Sequence, residues 1–384
     1  MNPGKDAWIG VLGGGQLGRM LSLSARKMGF HVLAWTGGAR SGAASTADRI
    51  IDQSFDDSDA MEEFTNSVRV ATVEFENLPI DTLKQVEDRI PLRPGSHAIS
   101  ICQHREREKR FLSDNGFGCA NFSLAHDLDS FTEGLSKINS PVIVKTAEFG
   151  YDGKGQLRLP AKLSATDIDD AWKQFEGGRV VIEECITLEA ELSVLVARNP
   201  EGKMVHYDPV ENIHRNHILD LSIAPARITE NYQKLASETA LAIANSLEYV
   251  GMLAVEFFIS SDGRLIVNEL APRPHNSGHH TINACHCSQF EQQARAVCGL
   301  PLGSTQLVSP VIMMNLLGDV WKDEFTPPDW EKILEMKGTS LHLYGKRKAR
   351  QGRKMGHITI MGDSTEECLL KIRSIRKELN LPDF

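Results

Sequence analysis

Short apolar runs, each stopped by a glycine turn, an acid or a lysine, recur along the chain and alternate at first with stretches of helical spacing. Ala7 to Leu12 is a strand that runs into Gly13-Gly14-Gly15-Gln16-Leu17-Gly18. Arg19 to Met28 then carries its apolar residues at helical spacing, and Gly29 stops it. His31 to Trp35 is the next strand, which completes a βαβ unit. Val70 to Glu76 reads as a later strand of the same parallel sheet, so that Glu74 and Glu76, two apart, share one face near its carboxyl edge. A charged helix is predicted from Gln103 to Leu112, after the turn residues Pro94-Gly95-Ser96; most of it reads as a solvated face, with one cation able to point inward at a phosphate.

From Pro141 the pattern changes to strands. Val142 to Lys145, Val180 to Ile186, Leu188 to Ala197 and Val205 to His214 read as extended, and Ala236 to Leu247 as a helix. Val255 to Ile259, the turn Ser260 to Gly263 and Arg264 to Glu269 form a hairpin that can set Glu256 across from Glu269. After a break at Pro301 to Pro310 come Val311 to Leu317, Leu341 to Lys346 and Arg353 to Ile360. The expected fold is α/β and α+β: an N-terminal doubly wound βαβ domain at 1–100, a central domain at 101–303 and a small, mixed, β-rich C-terminal domain at 304–384.

With 384 residues there is room for two or three cores of good size. The net charge of -9 speaks against nucleic acid as a partner, because no broad cationic surface is available. No apolar run approaches a membrane span, and Met1-Asn2-Pro3-Gly4-Lys5-Asp6 lacks the layout of a signal peptide, so a cytoplasmic protein without a membrane partner is expected. Seven cysteines are scattered singly apart from Cys285-His286-Cys287, whose spacing does not suit zinc; reduced, mostly buried thiols are expected.

The chemistry concentrates in a few places. Glu256, Glu269 and the amide oxygen of Asn268 make an all-oxygen set suited to Mg2+ (or Mn2+) that phosphate oxygens complete, and Arg273, His275, Asn276, Ser277, Gly278 and His279 follow at once in a loop. Gly150 to Gly155, with Lys154 among its glycines, can close over a triphosphate or simply turn a hairpin. The acids and apolar backbone at Glu183 to Ile186 can take ribose and adenine. The glycine turn at 13–18 matches a dinucleotide fingerprint, but Trp35-Thr36-Gly37-Gly38 stands where NAD requires an acid, so it holds another phosphate or ligand edge, or only packs tightly. Lys346-Arg347-Lys348 and Arg350 to Lys354 are the most basic stretch: a phosphate site or an exposed hairpin tip.

In chain order these parts resemble the ATP-grasp superfamily and, within it, the N5-carboxyaminoimidazole ribonucleotide synthetases. The resemblance is carried by Gly13 to Met20, Glu74 to Asn77, the Gln103-x-Arg105-x-x-Glu108-Lys109 pattern, Lys145, Gly150 to Gly155, Glu256, Asn268 to His279 and Gly352 to His357. It implies a two-lobed ATP-grasp domain with a lid at 101–303. It further implies that ATP is bound by Arg105, Lys145, Gly150, Tyr151, Asp152, Gly153, Lys154, Gly155, Glu183, Glu184, Cys185, Ile186, Glu191, His214, Asn268 and Glu269, with metal on Glu256, Glu269 and Asn268. The ribonucleotide would meet Gly15, Gln16, Leu17, Glu76, Tyr151, Asp152, His275, Asn276, Ser277, Lys346, Arg353 and Lys354. Two positions depart from the common pattern: His104, and Phe149 in place of a glycine, which would stiffen the lid.

The resemblance implies a homodimeric ligase that uses ATP and bicarbonate to carboxylate 5-aminoimidazole ribonucleotide through carboxyphosphate. Lys145 and Arg273 would stabilise the transferring group, Asp152 or His275 would accept the proton, and the lid would exclude water. The rival readings are a formate-using ligase acting on glycinamide ribonucleotide, an NAD-dependent oxidoreductase, and a nucleotide-binding regulator without turnover.

Overall fold

The computed structural model describes residues 7–39, 42–148, 155–175 and 177–384, so the predicted lid residues Phe149 to Lys154 lie outside the described residues and only Gly155 is placed. The chain opens as β1 (Trp8–Leu12), α1 (Gln16–Lys27), β2 (His31–Trp35), β3 (Arg49–Ile51), α2 (Ser58–Ser67) and β4 (Val70–Val73), with the four strands parallel in the order β3-β2-β1-β4. Fully buried Trp35, Phe64 and Leu83 fill one face of this sheet, while Met20, Leu21 and Ala25 of α1 cover the other. β4 ends at Val73, before the acids expected on it, so Glu74 and Glu76 belong to the following loop and are free to diverge. α3 (Ile80–Glu87) and α4 (Ser96–Cys102) lead out of the sheet.

The charged helix is α5 (Arg105–Asp114), with Gln103 and His104 outside it. A second sheet is built from β5 (Phe122–Ala125), β6 (Val142–Thr146), β7 (Gln156–Leu159) and β8 (Val180–Glu184), antiparallel in the order β5-β8-β6-β7. It is backed by α6 (Leu128–Lys137) and α7 (Ala165–Lys173), each opened by a capping box, Asp127 with Ser130 and Ser164 with Asp167. Val142, Val144 and Ile182 pack there against Phe131.

The third sheet is the largest. It takes in β9 (Leu188–Arg198), β10 (Met204–His206), β11 (Val210–Arg215), β12 (Ile218–Ala224), β13 (Gly251–Ser260) and β14 (Leu265–Ala271), with α8 (Glu230–Ser246) laid across β9 and β13 through Ala236, Ala240 and Ile243. Residues 205–214, expected as one strand, are two, parted at Tyr207 to Pro209, whose proline cannot donate to a ladder. α9 (Thr281–Ala284) and α10 (Gln289–Val297) follow, and Phe290 and Ala294 of α10 join α1 in one core. The last segment supplies β15 (Val311–Leu317), α11 (Glu331–Leu334), β16 (Thr339–Leu343), β17 (Lys354–Met361) and α12 (Thr365–Glu378). β15 pairs with β12, so the order β14-β13-β9-β11-β12-β15-β17-β16 is one sheet that the C-terminal strands extend. All seven cysteines are free, four of them buried. Among the described residues no helix is long and apolar enough to cross a membrane.

Candidate active site

The hairpin β13–β14 brings Glu256 directly across from Glu269, after which the register shifts and Phe257 faces Val267. Asn268 is therefore the extra residue of a bulge. His275 is poised beside this pair, its Nε2 3.2 Å from Glu256 Oε1. The ring is held by a relay in which Asn212 Nδ2 donates to Ser193 Oγ (3.0 Å), Ser193 to Ser277 Oγ (2.7 Å), and Ser277 to His275 Nδ1 (2.9 Å). An Nδ1 that accepts leaves the proton on Nε2, facing Glu256. Burial, then the charges of Arg273 and Lys354, keep the ring well below the usual imidazole range and so neutral.

Two carboxylates this close suit a hard cation. Burial, and next the charge of Glu269, push the Glu256 carboxyl up to about 7. A divalent ion would relieve that repulsion, and the donor set of two carboxylates with an adjacent amide is all oxygen, as Mg2+ prefers.

Several of the groups expected at ATP gather about Glu183. Arg105 Nη1 is 3.9 Å from Glu269 Oε2. Lys145 Nζ reaches Glu183 Oε2 at 3.0 Å, and Lys109, which sequence reasoning left in a solvated helix face, meets the same oxygen at 3.2 Å. Burial would raise Glu183, but the two ammonium groups outweigh it and hold the carboxyl at about 2. Burial lowers Lys145, and repulsion by Lys109 and Arg105 adds to this, whereas at Lys109 burial is outweighed by the charges of Glu183 and then Glu108, which raise it. The N–H groups of Glu184 and Cys185 donate to Asn121 O (2.9 Å) and Pro141 O (2.8 Å), so these two donors are spent inside the lobe and not offered to a base. The Glu184 carboxylate takes Arg264 Nη1 at 2.8 Å. Glu191 Oε2 lies 2.9 Å from His214 Nδ1; burial alone would lower His214, but the bond to Glu191 prevails and raises it. His104 sits just ahead of α5, 3.2 Å from Glu148.

Because Glu183 titrates at about 2 rather than its ordinary 4.5, its ionised form stabilises the fold fully above 4.5 and that contribution is lost as pH falls toward 2. The resistance of wild type to urea is expected to fall between about pH 4.5 and about pH 2, and Glu183→Gln to lose this part of the dependence. Parallel curves for the two proteins would contradict the ion cluster.

The glycine turn is already filled. Glu74 accepts from Gly15 N–H (2.5 Å) and Gly18 N–H (2.7 Å), and a Cβ on Gly15 would stand 2.4 Å from its Oε1. These glycines therefore serve an internal carboxylate that caps α1, in place of the open phosphate cradle the turn resembles. Glu76 does not share its face; Arg273 grips it by Nε (2.5 Å) and Nη2 (3.2 Å). That pairing outweighs burial and keeps the Glu76 carboxyl low. Gln16 Oε1 accepts from Lys346 Nζ (2.6 Å), which also reaches Lys354 O (2.5 Å). Leu17 is half-buried beside the core of α1. Arg353 Nη1 donates to Lys348 O at 2.8 Å. Asn276 is 7% exposed, and among the described residues neither polar atom of its side chain has a partner. Ser277 has no exposed surface and acts through His275. His279, equally buried, bonds Gln289 and packs 4.8 Å from His357, on which His342 stacks.

Comparison with known proteins fits this layout. Family models match residues 7–103 (ribonucleotide synthetase preATP-grasp domain), 110–290 (ATP-grasp domain) and 311–371 (phosphoribosylaminoimidazole carboxylase C-terminal domain). N5-carboxyaminoimidazole ribonucleotide synthase of Bacillus subtilis is 40% identical over 366 residues, 95% of this chain and 94% of its own. The chain belongs to that family. It is thus an ATP-grasp ligase. A crystal structure of N5-carboxyaminoimidazole ribonucleotide synthetase with ADP superposes at a TM-score of 0.89, with 40% identity and 98% and 97% of the two chains covered. The synthase of Aspergillus clavatus, solved in complex with ADP and 5-aminoimidazole ribonucleotide, gives 0.86 at 27% identity, covering 97% and 98%.

Within this family's pattern, Glu108 and Lys109 were visible only as the last two positions of the Gln103-to-Lys109 motif. Their alternation with Arg105 and Arg107 looked like a surface, yet both are buried, at 2% and 1% exposure.

Proposed function

We propose that this chain carries out its family's reaction: ATP-dependent carboxylation of 5-aminoimidazole ribonucleotide with bicarbonate to N5-carboxyaminoimidazole ribonucleotide, ADP and phosphate, in purine biosynthesis. The observation that carries this is the carboxylate pair Glu256–Glu269 with cations of two clusters at it: Arg105, grouped with Lys145, lies 3.9 Å from Glu269, and Arg273, grouped with Lys346 around Glu74, acts on both acids. One cluster takes the nucleotide phosphates, the other the ribonucleotide. Glu256, Glu269 and Asn268 would hold Mg2+ or Mn2+, which when bound supplies positive charge to the phosphate oxygens.

A bicarbonate oxygen attacks the γ-phosphorus and forms carboxyphosphate as ADP leaves, with Lys145 and Arg105 meeting the charge on the transferring group. Arg273, already neutralised by Glu76, orients more than it attracts. The exocyclic amine of the ribonucleotide then captures the carboxyl carbon, directly or as released carbon dioxide. His275, with its proton on Nε2, is a donor in this arrangement, so Asp152 is the base we propose. Residues 150–155 keep water from the carboxyphosphate. We further propose a cytoplasmic homodimer, divided near residues 100 and 303; sedimentation would test the dimer.

The direct test is ADP release in bicarbonate with and without 5-aminoimidazole ribonucleotide: strong stimulation is expected, and equal release would overturn the assignment. Lys354→Ala is expected to raise the ribonucleotide KM about 10-fold or more, as for a lost charged hydrogen bond, and to leave the ATP KM within about 2-fold. Equal changes would show a hairpin tip only. Burial, then Arg353 and Lys354, bring Lys346 down to about 8. It is charged below that value and neutral above it. The kcat/KM for the ribonucleotide should therefore fall as pH rises through about 8, and Lys346→Arg should flatten the profile.

A further inference from the structure

β14 is the edge of the large sheet, with β13 as its ladder neighbour, so its outward N–H and C=O groups must be met from outside the sheet. In a regular strand those outward N–H groups fall two residues apart. Here they fall at Val267, which donates to Gly118 O at 2.7 Å, and at Leu270, which donates to Glu108 Oε2 at 3.1 Å. The spacing of three is the bulge at Asn268. Between them, Asn268 O accepts from Lys109 Nζ at 3.2 Å.

The bulge decides which way Glu269 points. Phe257 and Val267 are partners and both lie in the core beneath the sheet. Continued without a bulge, that register would set Asn268 across from Glu256 and turn Glu269 onto the core face beside Val255. One inserted residue returns Glu269 to the face of Glu256, while Leu270 takes the core position instead.

We propose that Glu108 and Lys109 are positioning residues for the carboxylate pair: from α5 they clasp the N–H and C=O that the bulge displaces and so hold Glu269 opposite Glu256. This rests on the metal role given to that pair above. Lys109 also touches Glu183 of β8, which ties the clasp to the strand beside Lys145. Two adjacent residues of a helix thereby do what a neighbouring strand would do, and they do it with side chains of opposite polarity, matching an N–H and a C=O.

The test is Mn2+ binding by the full chain, read by electron paramagnetic resonance with a non-hydrolysable ATP analogue present, beside ADP binding in a chelator. Glu108→Leu, which has no acceptor, is expected to weaken Mn2+ binding about 10–100-fold, as loss of an outer partner does. Metal-free ADP binding should change less than about 3-fold. Glu108→Gln, which keeps an acceptor for Leu270 N–H, should restore Mn2+ affinity. If Gln and Leu weaken Mn2+ alike, charge and not the clasp is responsible and the proposal fails. It fails equally if Mn2+ binding is unchanged in Glu108→Leu, or if ADP affinity falls in step. Should Glu108→Leu not fold, Lys109→Met against Lys109→Arg decides in the same way, with loss and rescue of Mn2+ binding expected. Wild type that binds no Mn2+ would overturn the metal reading itself, a result distinct from a variant that binds as well as wild type.

Discussion

Glu269→Gln is expected to abolish ribonucleotide-driven ATP turnover, by on the order of 10³-fold, with the fold intact. The carboxylate is lost from a pair whose mutual repulsion is already strong enough to lift Glu256 to about 7, so the site loses half of the negative charge that would bind a divalent ion. Nothing comparable is lost from the fold. The Glu269 side chain is 44% exposed and Arg105 is 3.9 Å from it, a distance at which an exposed pair contributes about 0–1 kcal/mol. Gln fills the same volume, and the ladder to β13 is made by backbone. Circular dichroism should match wild type while a coupled ADP assay shows no stimulation by the ribonucleotide. Retained phosphate release would sink the metal assignment.

Glu183→Leu is expected to have the largest effect on stability. It strips the shared carboxylate from two lysines that are 1% and 8% exposed, and breaking a buried pair from one side costs about 3–5 kcal/mol because a charge is left without a partner. Glu183→Gln should cost less, since its amide oxygen still accepts from an ammonium group. Denaturant unfolding is the measurement; a loss below about 1 kcal/mol would mean that Lys109 and Lys145 find other partners or shed their protons cheaply. Because Lys145 would be freed to move, the KM for ATP should rise as well.

Much of the site was legible because strand chemistry is local. The hairpin from Val255 to Glu269 announced itself by two apolar runs around Ser261-Asp262-Gly263, and Glu256 indeed faces Glu269. The same reasoning failed one strand earlier. Glu74 and Glu76 were expected on one face, but β4 stops at Val73, and each acid then went to its nearest unsatisfied donor, Glu74 to the N–H groups of Gly15 and Gly18, Glu76 to the Arg273 guanidinium. Neither donor is near in sequence. Lys109 was hidden for a related reason: a helix of mixed charge looks solvated until a second lobe is laid against it.

By itself the chain determined the order of its elements, the acids and cations that carry the chemistry, and, through the run from Asn268 to His279, the family. These are set by neighbours in sequence: side-chain period, turn residues and spacing. The tertiary structure alone decided who pairs with whom. It closed the glycine turn on Glu74, set two lysines on Glu183, fused the C-terminal strands to the central sheet through β12 and β15, and used a single bulge to face Glu269 toward Glu256. Such choices depend on charges and backbone groups that come together only when distant segments pack, because a buried donor or acceptor must be met by whichever partner the fold brings within reach.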